Sequence, residues 1–361
     1  MLVRTFELGD VIVGVDTHKD AHVSVAIDHL GRRLGDLSIP TNQEGYEKLL
    51  SWAKEFGGEV TFGVEGCGSY GSGLSRFLRR SGISTFEATR PPRRRERRAA
   101  GKSDLGDAEH AAREVLSGKV EALPKKTDGV VEMIRLVKVA KDTAVKARSQ
   151  VMVALKSNLV TANDALRAEL ESLSDHKLIA SCIALKVGEL DTVDDIMGYT
   201  LSTMAERWKV LDAEIKAHVK LLERLTREAS PKLCDAFGVG FDSGAELLCA
   251  VGENHERIRS EAAFAKLCGA CPIPASSGRT DRHRLCRGGN RRANAALYRI
   301  VIVRMRWHEP TKAYVARRTS EGLSKKDIIR CLKRYVAREV YHLMKFTINH
   351  EDDPKLVSAA T

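Results

Sequence analysis

The sequence lacks the long apolar segments that a membrane protein requires. No stretch reaches the ~18 consecutive apolar residues of a membrane-spanning helix. Residues 1–10 also carry no apolar stretch behind a basic start, as a secretory leader would. We therefore expect no membrane partner, and a cytoplasmic protein of prokaryotic type that associates with the nucleoid when active.

A disulfide framework is also missing. The eight cysteines lie mostly within apolar patterns, where a reduced thiol behaves as a small hydrophobic side chain. One subset leaves an alternative open, because its residue types and pair spacings match those of a small Zn²⁺ site: Cys268, Cys271, His283 and Cys286. We favour unligated residues for this subset.

Acidic residues are in the minority. Lysine and arginine total 59 against 48 aspartates and glutamates, which gives a net charge of +11 and an isoelectric point near 9.3. Such a balance favours a polyanionic partner, with nucleic acid ahead of an anionic membrane surface. With 361 residues and 43% hydrophobic content, the chain can form two or three domains.

The first part of the chain predicts an α/β fold. Alternating and continuous apolar patterns predict, in order, strands over 11–17, 21–28 and 34–39, a helix over 43–56, a strand ending at Glu65, a helix over 69–80 and a strand over 83–87. An antiparallel meander followed by parallel strands with crossover helices is the order of a ribonuclease-H-like (RuvC-like) fold. We expect this domain to span residues 1–125.

Four acidic residues stand where that fold would bring them together. Asp16 and Glu65 each close a short buried strand, while Asp104 and Asp107 share one face of a predicted helix. Hard oxygen ligands clustered in this way suit two divalent cations for phosphodiester chemistry. The quartet therefore predicts a catalytic site for two divalent cations.

A basic loop precedes the paired acids. Two prolines rule out regular structure at its start, and the arginines that follow are Arg93, Arg94, Arg95, Arg97 and Arg98. Such density favours a clamp on the phosphate backbone, and a solvated linker is the alternative.

Residues 126–230 are typical of a helical coiled-coil arm. Apolar residues step by four and three along a predicted seam: Met204, Trp208, Leu211, Ile215, His218, Leu222 and Leu225. We interpret His218 as an interface residue. An earlier helix carries scattered lysines, among them Lys138, Lys141 and Lys156. We expect an antiparallel arm that forms a dimer or tetramer and contributes to nucleic-acid contact.

The pattern of residues 231–345 predicts a mainly α-helical C-terminal domain, and residues 346–361 are expected to form a tail. Gly238 and Gly240 resemble the hairpin of a helix-hairpin-helix, whose backbone N–H groups approach phosphate; a plain turn is the alternative. Further on, Ser276 and Ser277 precede Gly278 among arginines. This segment fits either a nucleophile beside phosphate-binding cations or a surface turn.

The order of these motifs resembles the DEDD transposases of the insertion-sequence-110 (Piv-like) family. The segments that carry the resemblance are Gly14 to Asp20, Val64 to Tyr70, Lys102 to Ala108, Pro272 to Gly278, and Gly289 with Asn290. The likeness spans residues 11 to about 345.

The resemblance implies a transposase that excises and inserts an insertion sequence. Asp16, Glu65, Asp104 and Asp107 would bind Mg²⁺, and Ser277, or Ser276 in its place, would attack DNA and become covalently linked to it. It also implies that a structured RNA encoded by the element guides the choice of DNA. The residues expected to contact nucleic acid in the C-terminal domain are Gly238, Gly240, Arg279, Arg287, Asn290 and Arg291.

Two alternative functions remain open at this stage. A RuvC-like nuclease or junction resolvase would use metal-activated water, and would leave the Ser-Gly segment as a loop. A non-catalytic nucleic-acid-binding protein would need only the helical arm and the hairpin unit. Target DNA, guide RNA and oligomeric state are not readable from the sequence, since recognition by base pairing leaves little trace in a protein.

Overall fold

The computed structural model describes residues 6–88, 103–118, 120, 122–276, 278 and 283–345. The chain divides into two compact units. Unit 1 comprises Met1–Gly129 and Val251–Ser260, and unit 2 comprises Val130–Ala250 and Glu261–Thr361. The expected boundaries near 125, 230 and 345 stay predictions.

Unit 1 is a mixed α/β domain. Its elements are β1 (Val11–Thr17), β2 (Ala21–Asp28), β3 (Arg33–Pro40), α1 (Gln43–Glu55), β4 (Val60–Glu65), α2 (Ser72–Arg80), β5 (Ser84–Ala88) and α3 (Asp104–Leu116). The sheet order is β3-β2-β1-β4-β5. Strands β1 to β3 form the expected antiparallel meander, while β4 pairs in parallel with both β1 and β5.

Alternation along β1 builds a core on each face of the sheet. Val13 belongs to the cluster that contains Leu49 of α1 and Leu74 of α2. Its neighbour Ile12 points to the other face and packs in a cluster with Ala108 of α3. Every residue of β1 is buried. This is why β1 appears as a continuous apolar run in the sequence.

A short return segment completes unit 1. The side chain of Asn254 donates to the backbone oxygen of Pro124 at 2.9 Å and accepts from the backbone nitrogen of Lys126 at 3.0 Å. Arg257 forms an ion pair with Glu87 at 2.9 Å. These contacts attach residues 251–260 to β5 and to the segment that follows α3.

Unit 2 is mainly helical. Its elements are α4 (Val130–Val160), α5 (Asp164–Leu170), α6 (Asp175–Ile183), α7 (Val193–Ala229), α8 (Pro231–Asp235), α9 (Phe241–Val251), α10 (Glu261–Leu267), β6 (Pro272–Pro274), β7 (His283–Leu285), α11 (Arg291–Trp307), α12 (Glu309–Ser320) and α13 (Lys325–Lys345). None of the described helices has the length and apolar character needed to cross a membrane.

The long helices α4 and α7 pack against each other, and the second half of α4 shares a buried cluster with the first half of α7, so the two run antiparallel. Trp208, Ile215 and Leu222 are buried, as the predicted seam requires, but Ala205 and Asp212 are buried where the seam predicted Met204 and Leu211. Asp212 pairs with Arg148 of α4. Because this face of α7 is occupied within the chain, association of subunits through the arm, which stays a prediction, would have to use other residues.

Lysines that the sequence assigned to nucleic-acid contact are ion-paired within unit 2. Lys138 is 3% exposed, and its Nζ lies 3.1 Å from carboxylate oxygens of both Asp242 and Glu246. Burial alone would lower the pKa of Lys138, but these two carboxylates outweigh that effect and raise it. Lys141 also pairs with Asp242. Lys138 therefore fastens α4 to α9 and is not available to a phosphate.

Candidate metal centre at the edge of the sheet

Two glycines let α3 lie directly on the sheet. Gly14 of β1 and Gly63 of β4 are register partners. A Cβ on Gly14 would lie 1.9 Å from the backbone oxygen of Ala108, and one on Gly63 would lie 2.8 Å from that of Ala111. The helix backbone thus occupies the space that side chains would fill. This close approach fixes where the first turn of α3 stands.

Strand pairing places two of the predicted acids side by side. Val15 and Val64 are register partners in the parallel pair, so the next residues, Asp16 and Glu65, leave the same edge of the sheet. The hydroxyl of Thr17 donates to the backbone oxygen of Glu65 at 2.9 Å and ties the two strand ends together. This hydrogen bond therefore fixes the ends of β1 and β4, which carry the two carboxylates, relative to each other.

The other two acids lie in the first turn of α3. Ser103 caps the helix, and its hydroxyl accepts from the backbone nitrogen of Gly106 at 3.4 Å. Asp104 is half exposed, whereas Asp107 is buried, with 7% of its surface exposed. The positive end of the helix dipole favours carboxylates at this position.

A histidine that the sequence did not single out completes the cluster. His18 Nε2 lies 3.3 Å from Asp16 Oδ2 and 3.4 Å from Asp104 Oδ2. One ligand atom from each of the three residues lies within 4.8 Å of the other two. The signal that could have found His18 is its position directly after β1, two residues beyond Asp16.

These residues fit a divalent cation. Ligand atoms in neighbouring positions of an octahedral site stand ~3 Å apart, close to the two distances from His18. Asp16 is only 6% exposed, and a buried carboxylate is costly unless a cation or hydrogen bonds compensate it. Asp107 in the same helical turn and Glu65 at the same edge can extend the site, although neither belongs to the three-residue group.

We expect Gly14→Ala to damage this centre through packing. The new methyl group would meet backbone atoms of Ala108, which no side-chain rotation relieves, so α3 has to move. Overpacking of this kind costs ~1–3 kcal/mol or more. Urea denaturation followed by circular dichroism should show the loss, and Mn²⁺ affinity should fall with it.

Gly68→Ala is the matched control, because a Cβ on Gly68 would have no heavy atom within 4 Å. The packing account fails if both glycine variants unfold at the same urea concentration as the wild-type protein.

The predicted serine segment belongs to unit 2. β6 and β7 form an antiparallel hairpin in which Pro272 faces Leu285. Ser276 is exposed in the segment that joins the strands, and Gly278 has a φ of +56°. Ser277 and Arg279 lie outside the described residues, as do Arg93, Arg94, Arg95, Arg97 and Arg98 of the basic loop.

The other predicted nucleic-acid residues have mixed environments. Asn290 caps α11, and its side-chain oxygen accepts from the backbone nitrogens of Arg292 and Ala293 at 3.0 and 3.1 Å. Arg287 and Arg291 are exposed. Gly238 has a φ of +76°, which a side chain would strain. Gly238 lies in the turn between α8 and α9, so a helix stands on each side of it. Its contact with phosphate stays a prediction.

The four residues of the zinc alternative do not form a metal cluster in the described part of the chain. Cys268 is buried, and burial raises its pKa to about 12. Burial and the neighbouring thiol of Cys286 raise the pKa of Cys271. Among the described residues, no three of the four place ligand atoms within 4.8 Å of one another.

Comparison with known proteins gives two matches to protein families. A model described as a transposase matches residues 13–163. A second, described as a transposase of the IS116/IS110/IS902 family, matches residues 230–316. Together these stretches make up about two thirds of the chain. No curated protein matches the chain.

Proposed function

Since the chain belongs to the IS110 family of transposases, and is therefore an enzyme that recombines DNA, we propose that unit 1 holds its divalent metal site and that a serine of unit 2 attacks the DNA. The observation that carries the proposal is the convergence of Asp16, His18 and Asp104 at the edge of the sheet. Glu65 and Asp107 supply further carboxylates there.

The strand order supports a ribonuclease-H-like (RuvC-like) identity for unit 1. A meander of three strands, extended by two parallel strands on the far side of β1, gives the order 3-2-1-4-5. In this arrangement Asp16 lies on the central strand, and α3 crosses the sheet face beside it. A fold alone does not determine the reaction that a protein catalyses. The acidic site is the feature that supports phosphodiester chemistry for unit 1.

Each residue of the site has a task. Asp16, Asp104 and His18 would hold the metal, with Glu65 and Asp107 binding a second ion or orienting the first. When bound, Mg²⁺ would stabilise charge on the scissile phosphate and lower the pKa of the attacking hydroxyl. Rigid strand ends and the glycine-seated helix keep the ligands in place, so little reorganisation is needed during the reaction.

The proposed nucleophile is Ser277, with Ser276 as the alternative. Exposure of Ser276 supports a segment that is accessible to DNA, and the family resemblance supports a covalent serine–DNA intermediate. In that step the serine hydroxyl loses its proton and its oxygen forms a bond to phosphorus, while the bond from phosphorus to the leaving oxygen of the DNA strand breaks and that oxygen takes up a proton. The arginines near the segment would neutralise the phosphoryl oxygens.

The same resemblance supports an RNA guide, while a dimer or tetramer formed through the helical arm stays a prediction from the sequence pattern. A net charge of +11 suits the simultaneous binding of DNA and RNA. The competing function is a metal-dependent nuclease that uses activated water. It predicts hydrolysed DNA ends and no covalent adduct, so the chemistry of the product ends separates the two.

His18 should make the site prefer a metal ion that binds nitrogen ligands. An imidazole ligand suits Mn²⁺ or Zn²⁺ better than Mg²⁺, which favours oxygen ligands. We expect His18→Ala to weaken Mn²⁺ binding about tenfold or more while Mg²⁺ binding changes less. Calorimetric titration measures both affinities, and pulsed electron paramagnetic resonance detects nitrogen bound to Mn²⁺ directly.

The matched control is His29→Ala, in the turn between β2 and β3. If His18 were only a counter-ion to the two aspartates, its removal would leave Mn²⁺ affinity unchanged or raise it. The nitrogen coupling would then be absent from the wild-type spectrum. Either result would remove His18 from the ligand set without removing the carboxylates.

A further inference from the structure

Unit 2 contains a cavity beside the serine segment. It has a volume of about 930 Å³ and lies between the β6–β7 hairpin, the end of α12 and the first half of α13. Pro272 and Leu285, a register pair of the hairpin, form one wall. Tyr335 of α13 and Leu323 of the preceding turn also line it. Cavities of this size hold drug-sized ligands.

The cavity is strongly cationic. Five basic side chains line it against a single carboxylate, and they are Arg284, Arg318, Arg330, Lys333 and Arg334, opposed by Asp327. Asp327 pairs with Arg330 at 2.7 Å, and Arg334 pairs with Glu261 at 2.9 Å. Arg318 also pairs with Glu321, so among the described residues Arg284 and Lys333 are the basic side chains of the cavity that form no ion pair. An anionic ligand is therefore favoured, and arginine suits phosphate in particular.

An aromatic ring stands in the same cavity. Tyr335 is 55% exposed, and its ring meets Tyr314 edge to face, with the centroids 5.7 Å apart and the planes at 82°. The Tyr314 ring is in turn covered by the guanidinium of Arg317 at 5.5 Å. Tyr314 therefore supports the ring of Tyr335, and Arg317 in turn packs on Tyr314. A braced, exposed aromatic face is a stacking platform for a base.

We propose that this cavity binds one unstacked nucleotide of the DNA strand, with the base against Tyr335 and the phosphate on the arginines. A nucleotide is the ligand that combines a flat apolar face with an anionic group, and the cavity offers both complements. Its location fits the reaction, because β6 ends two residues before Ser276. A nucleotide bound in this cavity would hold the DNA strand beside the serine segment.

A bound metal ion is a poorer occupant of the same cavity. Cys271, Cys286 and Cys331 all line it. Among the described residues, however, these thiols do not place three ligand atoms close enough for one ion. The surrounding positive charge also repels a cation. The proposal uses from the proposed function only that DNA is the substrate, and it does not depend on the metal site.

The test is stacking of a fluorescent base in the full-length protein. Single-stranded DNA carrying 2-aminopurine is titrated in EDTA, which removes the metal and prevents cleavage. We expect quenching by the wild-type protein. Tyr335→Leu should lose the quenching and bind about tenfold more weakly, whereas Tyr335→Phe should retain both, because a phenyl ring still stacks. Arg330→Gln should reduce the salt dependence of binding by about 0.7 in slope.

Tyr199→Leu on α7 is the matched control, because Tyr199 is 48% exposed and does not line the cavity. Unchanged quenching and affinity in Tyr335→Leu would overturn the proposal, as would equal losses in Tyr199→Leu. Quenching with RNA but not with DNA would overturn the assignment to the DNA strand. If the metal site proposed for unit 1 is wrong, this fluorescence result is unaffected, because the titration is done in EDTA. An error in the metal site can therefore be told apart from an error in the nucleotide cavity.

Discussion

Asp16→Asn should abolish DNA cleavage while the protein remains folded. Asparagine has nearly the same shape as aspartate, but it removes the negative charge at the centre of the Asp16, His18 and Asp104 cluster. Loss of a metal ligand forfeits several kcal/mol of transition-state stabilisation, so the cleavage rate should fall on the order of 10³-fold or more. Cleavage of a DNA substrate in Mg²⁺, followed on denaturing gels, measures the effect.

The control for this variant is Asp20→Asn, which removes the same charge from an exposed position four residues further along the chain. Its activity should match that of the wild-type protein. Circular dichroism of Asp16→Asn should show an intact fold. A folded Asp16→Asn that cleaves DNA at the wild-type rate would eliminate the metal site proposed for unit 1.

Ser277→Ala should eliminate the covalent protein–DNA adduct. A serine nucleophile contributes its oxygen to the new bond to phosphorus, and alanine has no atom to replace it. The loss in rate should be on the order of 10⁴-fold or more, as for other removed nucleophiles. Adducts trapped with a suicide DNA substrate and separated by denaturing electrophoresis provide the measurement.

Ser276→Ala is the companion variant, since the two serines are adjacent. Loss of the adduct in Ser276→Ala alone would move the role of nucleophile to Ser276. Persistence of the adduct in both variants would refute the serine mechanism. Cleavage without any adduct in the wild-type protein would instead favour the nuclease that uses activated water.

The architecture of unit 1 was predictable because its signals are local. Period-two and continuous apolar runs identify β1, β2 and β4, and the crossover rules leave few ways to arrange the strands. The strand β1 begins at Val11 and ends at Thr17, as predicted. The adjacency of Asp16 and Glu65 followed from the parallel pairing of two strands that each carry an acid at or near their carboxyl end.

What the sequence did not predict depends on contacts between distant residues. His18 became a candidate ligand only when α3 brought Asp104 within 3.4 Å of it. Gly14 and Gly63 determine that approach, and neither glycine indicates by itself which helix it will face. The burial of Lys138 was not predicted either, because its partners Asp242 and Glu246 lie about a hundred residues away in the sequence.

The seam of α7 illustrates an intermediate case. A heptad pattern correctly placed Trp208, Ile215 and Leu222 in the interface. Leu225 is also buried, as predicted, but Ala205 and Asp212 are buried in place of Met204 and Leu211, and Asp212 pairs with Arg148 across the interface. A polar residue at a core position is assigned to solvent by any pattern based on hydrophobicity, and only its buried partner explains its place.

The most direct measurement is anomalous X-ray diffraction from crystals of the protein grown with Mn²⁺. The account predicts a Mn²⁺ peak at the edge of the sheet in unit 1, about 2.0–2.4 Å from carboxylate oxygens of Asp16 and Asp104. At the same Mn²⁺ concentration the protein should cleave DNA. Crystals of cleavage-competent protein with Mn²⁺ bound only elsewhere would contradict it.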